Sequence, residues 1–259
     1  MRTLTVASYN VHRCIGRDGK HDPARVVKVI EELEAEIVAL QEVDFGYHVR
    51  HGVDQLRYFA DATGHESVWG PVLYGARGQY GNGLLTRHEV LEVRNIDLTV
   101  PRSQRRGALD VDLQVHGTRV RVIAAHLGLG LRERQVQVRR LLQAIDAGDA
   151  DAPLILLGDF NEWRPPSQPL RHLHRRFGRT PGVRSFPAAL PLFALDRVWV
   201  QPRHALVAIE VHNTSRARRA SDHLPIRAVI GGLWDRKPAA RRATASGAAT
   251  PKRRAVSSE

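Results

Sequence analysis

Short apolar runs alternate with polar or glycine-containing turns along residues 1–232. Several runs, such as VRVIAA and LILL, are apolar at consecutive positions, which indicates strands that are buried on both faces. We therefore expect a protein rich in strands. The predicted strands are residues 4–9, 37–42, 67–73, 83–86, 90–98, 108–115, 119–126, 154–159, 195–200, 205–211 and 224–230.

Three segments between these strands have the apolar spacing of an amphipathic helix. They are residues 23–33, 54–63 and 131–147, and Asp22 stands before the first of them as an expected N-cap. Many strands with few helices predict an α/β sandwich, in which two stacked sheets are flanked by helices.

The end of the chain has a different composition. Residues 235–259 contain seven basic and two acidic residues, and Val256 is the only large apolar residue after Trp234. Such a segment buries too little surface to offset the entropy of ordering. We predict a folded domain over residues 1–232 and a disordered basic tail over 233–259. The tail serves either solubility or an electrostatic contact with nucleic acid or an anionic membrane.

Composition narrows the function classes further. The chain has 259 residues and a single cysteine, Cys14, which excludes a disulfide framework and a multi-cysteine metal site. No apolar stretch matches a membrane span or a secretory leader, so we expect a cytoplasmic protein. The net charge of +12 suits a phosphorylated partner, although an arginine-rich composition from a G+C-rich gene would produce the same excess.

Polar side chains recur where the predicted strands begin or end. Because strand ends meet along one rim of a sheet, we expect them to lie close together. Taken singly, an aspartate after a strand is most often a turn residue. The residues in question are Asn10, Glu42, His126, Asp159, Asn161, Asp196, Asp222 and His223.

These residues are rich in hard oxygen atoms, which suit Mg²⁺ or Mn²⁺ better than Zn²⁺. The chain has no HExxH pair, no phosphate-binding GxxxxGK[ST] loop and no GxSxG elbow, so zinc protease, NTPase and serine hydrolase activities have no support. Carboxylates, histidines and arginines around a divalent ion can hydrolyse a phosphate ester.

Seven motifs occur in an order that resembles the endonuclease/exonuclease/phosphatase superfamily. The resemblance covers residues 4 to 230 and implies a deoxyribonuclease I-like fold of four layers, with two mostly antiparallel sheets between helices. The motifs are SYN (8–10), LQEVD (40–44), YGNGLLTR (80–87), AAHLG (124–128), GDFNEW (158–163), LDRVWV (195–200) and SDHLPI (221–226).

The resemblance implies a metal site. Glu42 matches the glutamate that is the main metal ligand, and Asn10 matches the asparagine that supports the metal and the phosphate. Asp222 matches the aspartate near the metal. The implied cofactor is Mg²⁺, with Mn²⁺ as an alternative.

The resemblance also implies the catalytic groups. Asp159 matches the aspartate that aligns or activates water, and Asn161 matches the asparagine that holds a phosphate oxygen. His223 matches the histidine at the scissile phosphate, and Asp196 matches its hydrogen-bonding partner. His126 matches the histidine on the leaving-group side. Either His223 or Asp159 is the base.

Two further residues are candidates for contact with the substrate phosphate. Arg106 could bind a phosphate through two parallel hydrogen bonds from its guanidinium group. The alternative is a solvated arginine, which its position before a predicted strand slightly disfavours. Asn82 lies in a GNG triplet, which is equally typical of a hairpin turn. His12 and Arg13 follow Asn10 and either line the cleft or lie on a surface loop.

The sequence therefore predicts a metal-dependent phosphodiesterase in which activated water attacks in line. The motifs are most similar to a compact bacterial branch that also resembles sphingomyelinases, so the substrate is either nucleic acid or a phospholipid headgroup. The alternative is a catalytically silent basic module that binds nucleic acid or an anionic membrane. No obligate protein partner is expected.

Overall fold

A computed structural model describes most of the chain up to residue 233, and the remaining residues, including the predicted tail from 234 onward, lie outside the described part. Leu233, which the prediction places in the tail, is buried in the core, so the folded domain extends at least one residue further than predicted. The described residues are 2–48, 53–75, 78–149, 152–164 and 166–233.

Each predicted strand has a counterpart in the structure. The strands are β1 Thr3–Asn10, β2 Ile37–Phe45, β3 Glu66–Gly75, β4 Gly78–Thr86, β5 Glu89–Asp97, β6 Gly107–Val115, β7 Thr118–His126, β8 Leu154–Asp159, β9 Asp196–Gln201, β10 Leu206–Val211 and β11 Ile226–Gly231. The α-helices of the described residues are α1 Pro23–Leu33, α2 Gln55–Thr63, α3 Leu131–Asp146, α4 Gln168–Phe177 and the single turn α5 Ala217–Ala220.

Strand β4 and helices α4 and α5 differ most from the prediction, and α5 is a single turn that was not predicted. Strand β4 begins at Gly78, five residues before the predicted start at residue 83, because the glycines that suggest a turn instead lie against β3 and β2. Helix α4 was not predicted, and the Ser167 side chain caps it by accepting a hydrogen bond from Leu170 N at 3.2 Å. The expected cap of α1 is confirmed, because Asp22 accepts from Arg25 N at 3.0 Å.

The strands form two mixed sheets. One sheet has the order β10-β11-β1-β2-β4-β3, and the other has the order β5-β6-β7-β8-β9. Each sheet contains one parallel pair, β1 with β2 and β7 with β8, and its other pairs are antiparallel. The predicted two-sheet fold is confirmed. The parallel pairs matter for function, because their carboxyl ends point to the same rim.

The apolar core forms three layers, which explains why many strands are apolar on both faces. The central layer lies between the sheets and includes Val6, Leu84, Val122 and Leu157. A second layer packs the first sheet against α1 and α2, and a third packs the second sheet against α3 and α4. The order of layers is therefore helix, sheet, sheet, helix. Among the described helices, none has the length and apolar character needed to cross a bilayer.

Candidate active site

The central apolar layer ends in polar side chains at one rim of the sandwich. Side chains alternate between the two faces of a strand, so Ile155 and Leu157 of β8 both belong to the layer between the sheets, and Asp159 is the next member of that row. Three other site residues occupy the same kind of position. Each is the first or last residue of its strand and lies on the face that packs against the opposite sheet, namely Asn10 in β1, His126 in β7 and Asp196 in β9.

Glu42 reaches this rim through a break in the regular strand. The pairing of β2 with β4 shifts register between Leu40 and Val43, and Glu42 has φ of 60°. This φ lies in the left-handed region, which a non-glycine residue rarely adopts outside constrained sites. A bulge turns a side chain away from strict alternation. The Glu42 carboxylate accordingly lies within 3.3 Å of Asn10 Nδ2, although Leu40 packs on the helical side of the sheet.

The loop before β11 supplies the last two residues. Ser221 fixes this loop, because its hydroxyl donates to the Asn10 carbonyl oxygen at 2.7 Å and accepts from His223 N at 3.2 Å. Asp222 and His223 thereby line the same cleft as Glu42. The structure brings the candidate metal and catalytic residues together from both sheets.

Asp159 is the centre of the cluster and is fully buried. Its carboxylate accepts hydrogen bonds from Asn10 Nδ2 at 3.1 Å and from Asn161 N at 2.9 Å. Two imidazoles approach the same oxygen, with Nε2 of His126 at 3.6 Å and Nε2 of His223 at 3.7 Å from Asp159 Oδ2. Asn161 also donates from Nδ2 to the Leu127 carbonyl at 2.9 Å, which fixes its side chain beside the cluster.

A buried chain of hydrogen bonds holds His223 at its Nδ1 atom. Its Nδ1 lies 2.9 Å from Asp196 Oδ2, and the Ser185 hydroxyl donates to the same oxygen at 2.5 Å. Ser185 and Asp196 are both inaccessible to solvent. A carboxylate on Nδ1 leaves Nε2 directed at the cleft. Sequence reasoning identified Asp196 but missed the role of Ser185, and the signal available for it was the short SFP segment at residues 185–187.

The charges of the cluster follow from burial and from these contacts. Burial lowers the pKa of His223, but the carboxylates of Asp196 and Asp159 more than compensate and raise it to about 10. Burial raises the pKa of Asp159 above its ordinary value, although His223 opposes this shift. Burial, together with Arg106 and His223, holds the pKa of His126 well below its ordinary value. At neutral pH the arrangement therefore favours a charged His223 and a neutral His126.

Arg106 lines the cleft, whereas Asn82 does not. Arg106 is buried, and its Nε has no hydrogen-bond partner among the described residues. Asn82 lies inside β4 rather than in a hairpin turn, and its Nδ2 donates to the Gly107 carbonyl at 2.9 Å. Asn82 thus ties the first sheet to the residue after Arg106. Arg13 also lines the cleft, with Nε at 3.9 Å from Glu42 Oε2.

The cleft contains donors that suit a hard divalent cation. Glu42 and Asp222 are partly exposed to the cleft, and carboxylate oxygens of this kind are preferred by Mg²⁺ and Mn²⁺. Asn10 donates from Nδ2 to the carboxylates of Glu42 and Asp159, while its Oδ1 accepts from His12 N at 3.1 Å. In this orientation Asn10 holds Glu42 in place, and its Oδ1 keeps a second lone pair that an ion could use.

A second set of atoms is also compact enough to hold an ion. Ligand atoms of Asp159, Asp196 and His223 all lie within 4.8 Å of one another, and Asp196 Oδ1 is buried without a hydrogen-bond partner among the described residues. The other Asp196 oxygen is already bonded to Ser185 and His223. The same geometry therefore fits either a hydrogen-bonded pair or an ion-binding group.

The sequence matches both a family model and a protein of similar length. Residues 7–223 match the model of the Endonuclease/Exonuclease/phosphatase family. The chain is 30% identical over 218 residues to uncharacterized protein YbhP of Escherichia coli, covering 78% of this chain and 85% of that protein.

Solved structures show the same fold. An endonuclease/exonuclease/phosphatase from Beutenbergia cavernae has a TM-score of 0.72 and 24% identity over 90% of this chain and 73% of its own. The human Nocturnin catalytic domain with a bound sulfate anion has a TM-score of 0.66 and 20% identity over 88% of this chain and 94% of its own.

Proposed function

Because the chain belongs to the endonuclease/exonuclease/phosphatase family, we propose that it is a divalent-metal-dependent phosphodiesterase that uses water as its nucleophile. The substrates considered are nucleic acid and phospholipid headgroups. The observation that carries the proposal is the convergence of two histidines on Asp159, whose Oδ2 lies 3.6 and 3.7 Å from their Nε2 atoms. Together with Glu42 and Asp222, these groups line a cleft of about 320 Å³, which suits a phosphate group and a water molecule.

Asp159 is the better candidate for the base. Its pKa is raised by burial, so the ionised carboxylate is a stronger proton acceptor than an ordinary aspartate. The charged form of His223 is stabilised by Asp196 and Asp159. In this proposal Asp159 accepts a proton from the attacking water, while His223 donates a hydrogen bond from Nε2 to a phosphate oxygen as negative charge develops.

The remaining side chains have supporting roles. Arg106 has donors available at the cleft and would bind a phosphate oxygen, with Asn161 as a second contact. His126 also lines the cleft and would donate a hydrogen bond to the leaving oxygen. Its lowered pKa makes it a neutral donor rather than an imidazolium. Asn82 would act indirectly by holding the backbone next to Arg106.

Glu42 and Asp222 would hold the ion, with Mg²⁺ as the first candidate and Mn²⁺ as the second. When bound, such an ion neutralises phosphate charge and stabilises the departing oxygen. The Glu42 bulge supports this assignment, because a strained backbone is retained where the surrounding structure requires it.

A silent binding module is the less favoured alternative. Loss of catalysis would leave gaps in the set of acid, base and metal ligands, and the described cleft contains a residue for each role. The basic tail remains a proposed contact for nucleic acid or an anionic membrane.

The experiment is hydrolysis of bis(4-nitrophenyl) phosphate by chelator-treated protein, with and without added Mg²⁺ or Mn²⁺. We expect activity only with metal, and a decrease of about 10²–10⁴ in Asp159→Asn. Asp61→Asn is the matched control, because Asp61 lies exposed on α2. Metal-independent activity, or equal rates in the two variants, would contradict the proposal. Plasmid DNA, RNA and phospholipid vesicles in the same assay would separate the substrate classes.

A further inference from the structure

A groove continues from the candidate active site and is mainly apolar. It has a volume of about 900 Å³, and two of its lining residues, Leu129 and Trp163, also line the catalytic cleft. The groove and the cleft are therefore one continuous surface. Leu131 at the start of α3 and Phe193 before β9 extend its apolar lining.

A row of aromatic rings leads from the catalytic histidine into this groove. The ring centroids are 4.8 Å apart between His223 and Phe186, 5.3 Å between Phe186 and Trp163, and 5.4 Å between Trp163 and Phe193. A group attached to a phosphate at His223 would thus meet an apolar wall on this side.

The groove exposes aliphatic side chains that a soluble protein usually buries. Leu129 is 64% exposed and Leu131 is 50% exposed. Grouped exposed apolar residues next to a polar cleft are typical of a ligand-binding surface.

Apart from Arg164 and Arg171, the polar side chains that line the groove are hydrogen-bonded to one another. Gln135 donates to Gln168 at 2.8 Å. Glu162 accepts from Ser167 at 2.5 Å and from Arg134 at 3.5 Å. A nucleobase would require free hydrogen-bond partners for its edge, whereas an aliphatic chain requires none.

Two arginines give this apolar groove a positive charge. Arg164 and Arg171 line it, are exposed, and form no ion pair with a carboxylate of the described residues. An anionic phosphate next to a hydrocarbon chain matches both the charge and the apolar lining.

We propose that the groove binds the aliphatic chain of an amphiphilic phosphodiester while the phosphate lies at His223. This inference rests on the proposed function for its phosphate site and adds the substrate class. Leu129 and Leu131 are then residues that determine specificity for chain length.

The test uses two esters with the same leaving group, 4-nitrophenyl butyl phosphate and 4-nitrophenyl dodecyl phosphate, both as monomers in solution. For the unaltered protein we expect kcat/KM to be at least about tenfold higher for the dodecyl ester, since each buried methylene is favourable. The double variant Leu129→Gln/Leu131→Gln should reduce this ratio to less than about threefold. The control Leu91→Gln/Val93→Gln changes two exposed apolar residues of β5 and should keep the full ratio.

Three results would overturn the inference. Equal kcat/KM values for the two esters would show that the chain is not bound, and an unchanged ratio in the Leu129/Leu131 double variant would show that it is bound elsewhere. A third result is a lower rate of oligonucleotide cleavage in this variant, with no difference between the butyl and dodecyl esters. That result would assign the groove to nucleobases instead.

The same inference can be tested without turnover. If neither ester is hydrolysed in the presence of metal, the proposed function fails, and binding of dodecylphosphonate and butylphosphonate then decides the groove. We expect dodecylphosphonate to bind at least about tenfold more tightly to the unaltered protein, and the double variant to lose this difference. Equal affinities would refute the chain-binding groove independently of catalysis.

Discussion

Replacing Asp196 by asparagine tests how the buried residues behind His223 contribute to turnover. The substitution keeps the shape of the side chain and removes its charge. In the structure this charge lies 2.9 Å from His223 Nδ1 and is shielded from solvent. The Ser185 hydroxyl donates to the same Asp196 oxygen. Among the described residues, Asp196 is the carboxylate bonded to His223 Nδ1, so the variant has no other negative charge at that nitrogen.

The expected magnitude follows from Coulomb's law. At a charge separation of about 4 Å and an effective dielectric constant of about 20, one carboxylate stabilises an imidazolium by about 4 kcal/mol. At about 1.4 kcal/mol for each tenfold change, this corresponds to about 10³ in the protonation equilibrium of His223. Because His223 is charged in the resting protein up to about pH 10, the loss shows at alkaline pH. At about pH 9 we expect kcat to fall by about 10² in Asp196→Asn, with KM changed by less than about threefold.

The assay is steady-state hydrolysis of bis(4-nitrophenyl) phosphate across a series of Mg²⁺ concentrations. If Asp196 acts through His223, the Mg²⁺ concentration for half-maximal activity stays the same in Asp196→Asn. Ser185→Ala should lower kcat in the same direction by about tenfold, as expected for one lost hydrogen bond, and Ser185→Thr should retain most of it. Unchanged kcat in Asp196→Asn at about pH 9 would refute the reasoning. Recovery of activity at high Mg²⁺ would show instead that Asp196 is a metal ligand.

Four further predictions follow from the site and the core. Glu42→Gln should raise the Mg²⁺ concentration for half-maximal activity by about 10- to 100-fold, which a metal titration measures; an unchanged titration would exclude Glu42 as a ligand. Arg106→Lys keeps the charge but loses the planar fork, so KM for a phosphodiester should rise by about tenfold. Because the pKa of Asp159 is raised, kcat should fall on acidification at a pH well above the ordinary aspartate pKa, where protonation removes the base. A kcat profile that stays flat down to about pH 4 would contradict this. Leu157→Ala, in the layer between the sheets, should lower the free energy of unfolding by about 2–5 kcal/mol in chemical denaturation.

Much of the fold could be predicted because the strands carry consecutive apolar residues. The run that leads into Asp159 faces the opposite sheet on one side and α3 and α4 on the other, so its composition reflects its double burial. Helix α4 escaped prediction because Pro169 and a basic sequence mask its apolar spacing. Leu170, Leu173 and Phe177 are nevertheless buried, and their three- and four-residue intervals were the available signal.

The candidate site could be predicted only as far as strand ends determine it. Asn10 and Asp159 follow from alternation along regular strands, whereas the position of Glu42 depends on a register shift that no local pattern indicates. The role of Ser185 follows from its contact with Asp196, which the SFP segment alone does not indicate. Asn82 shows the opposite case, because a motif suggested a phosphate contact and the structure places its amide on the Gly107 carbonyl.

The origin of the site in two sheets has a consequence for how the protein tolerates change. Asn10 and Glu42 come from one sheet, and His126, Asp159 and Asp196 come from the other, so the distances among them depend on how the two sheets are aligned. A substitution that lets one sheet slide over the other by a fraction of an ångström would reduce turnover while the chain stays folded. The catalytic rate is thus more sensitive to sheet alignment than the melting temperature is. Heating should therefore inactivate the protein at a lower temperature than the one at which it unfolds.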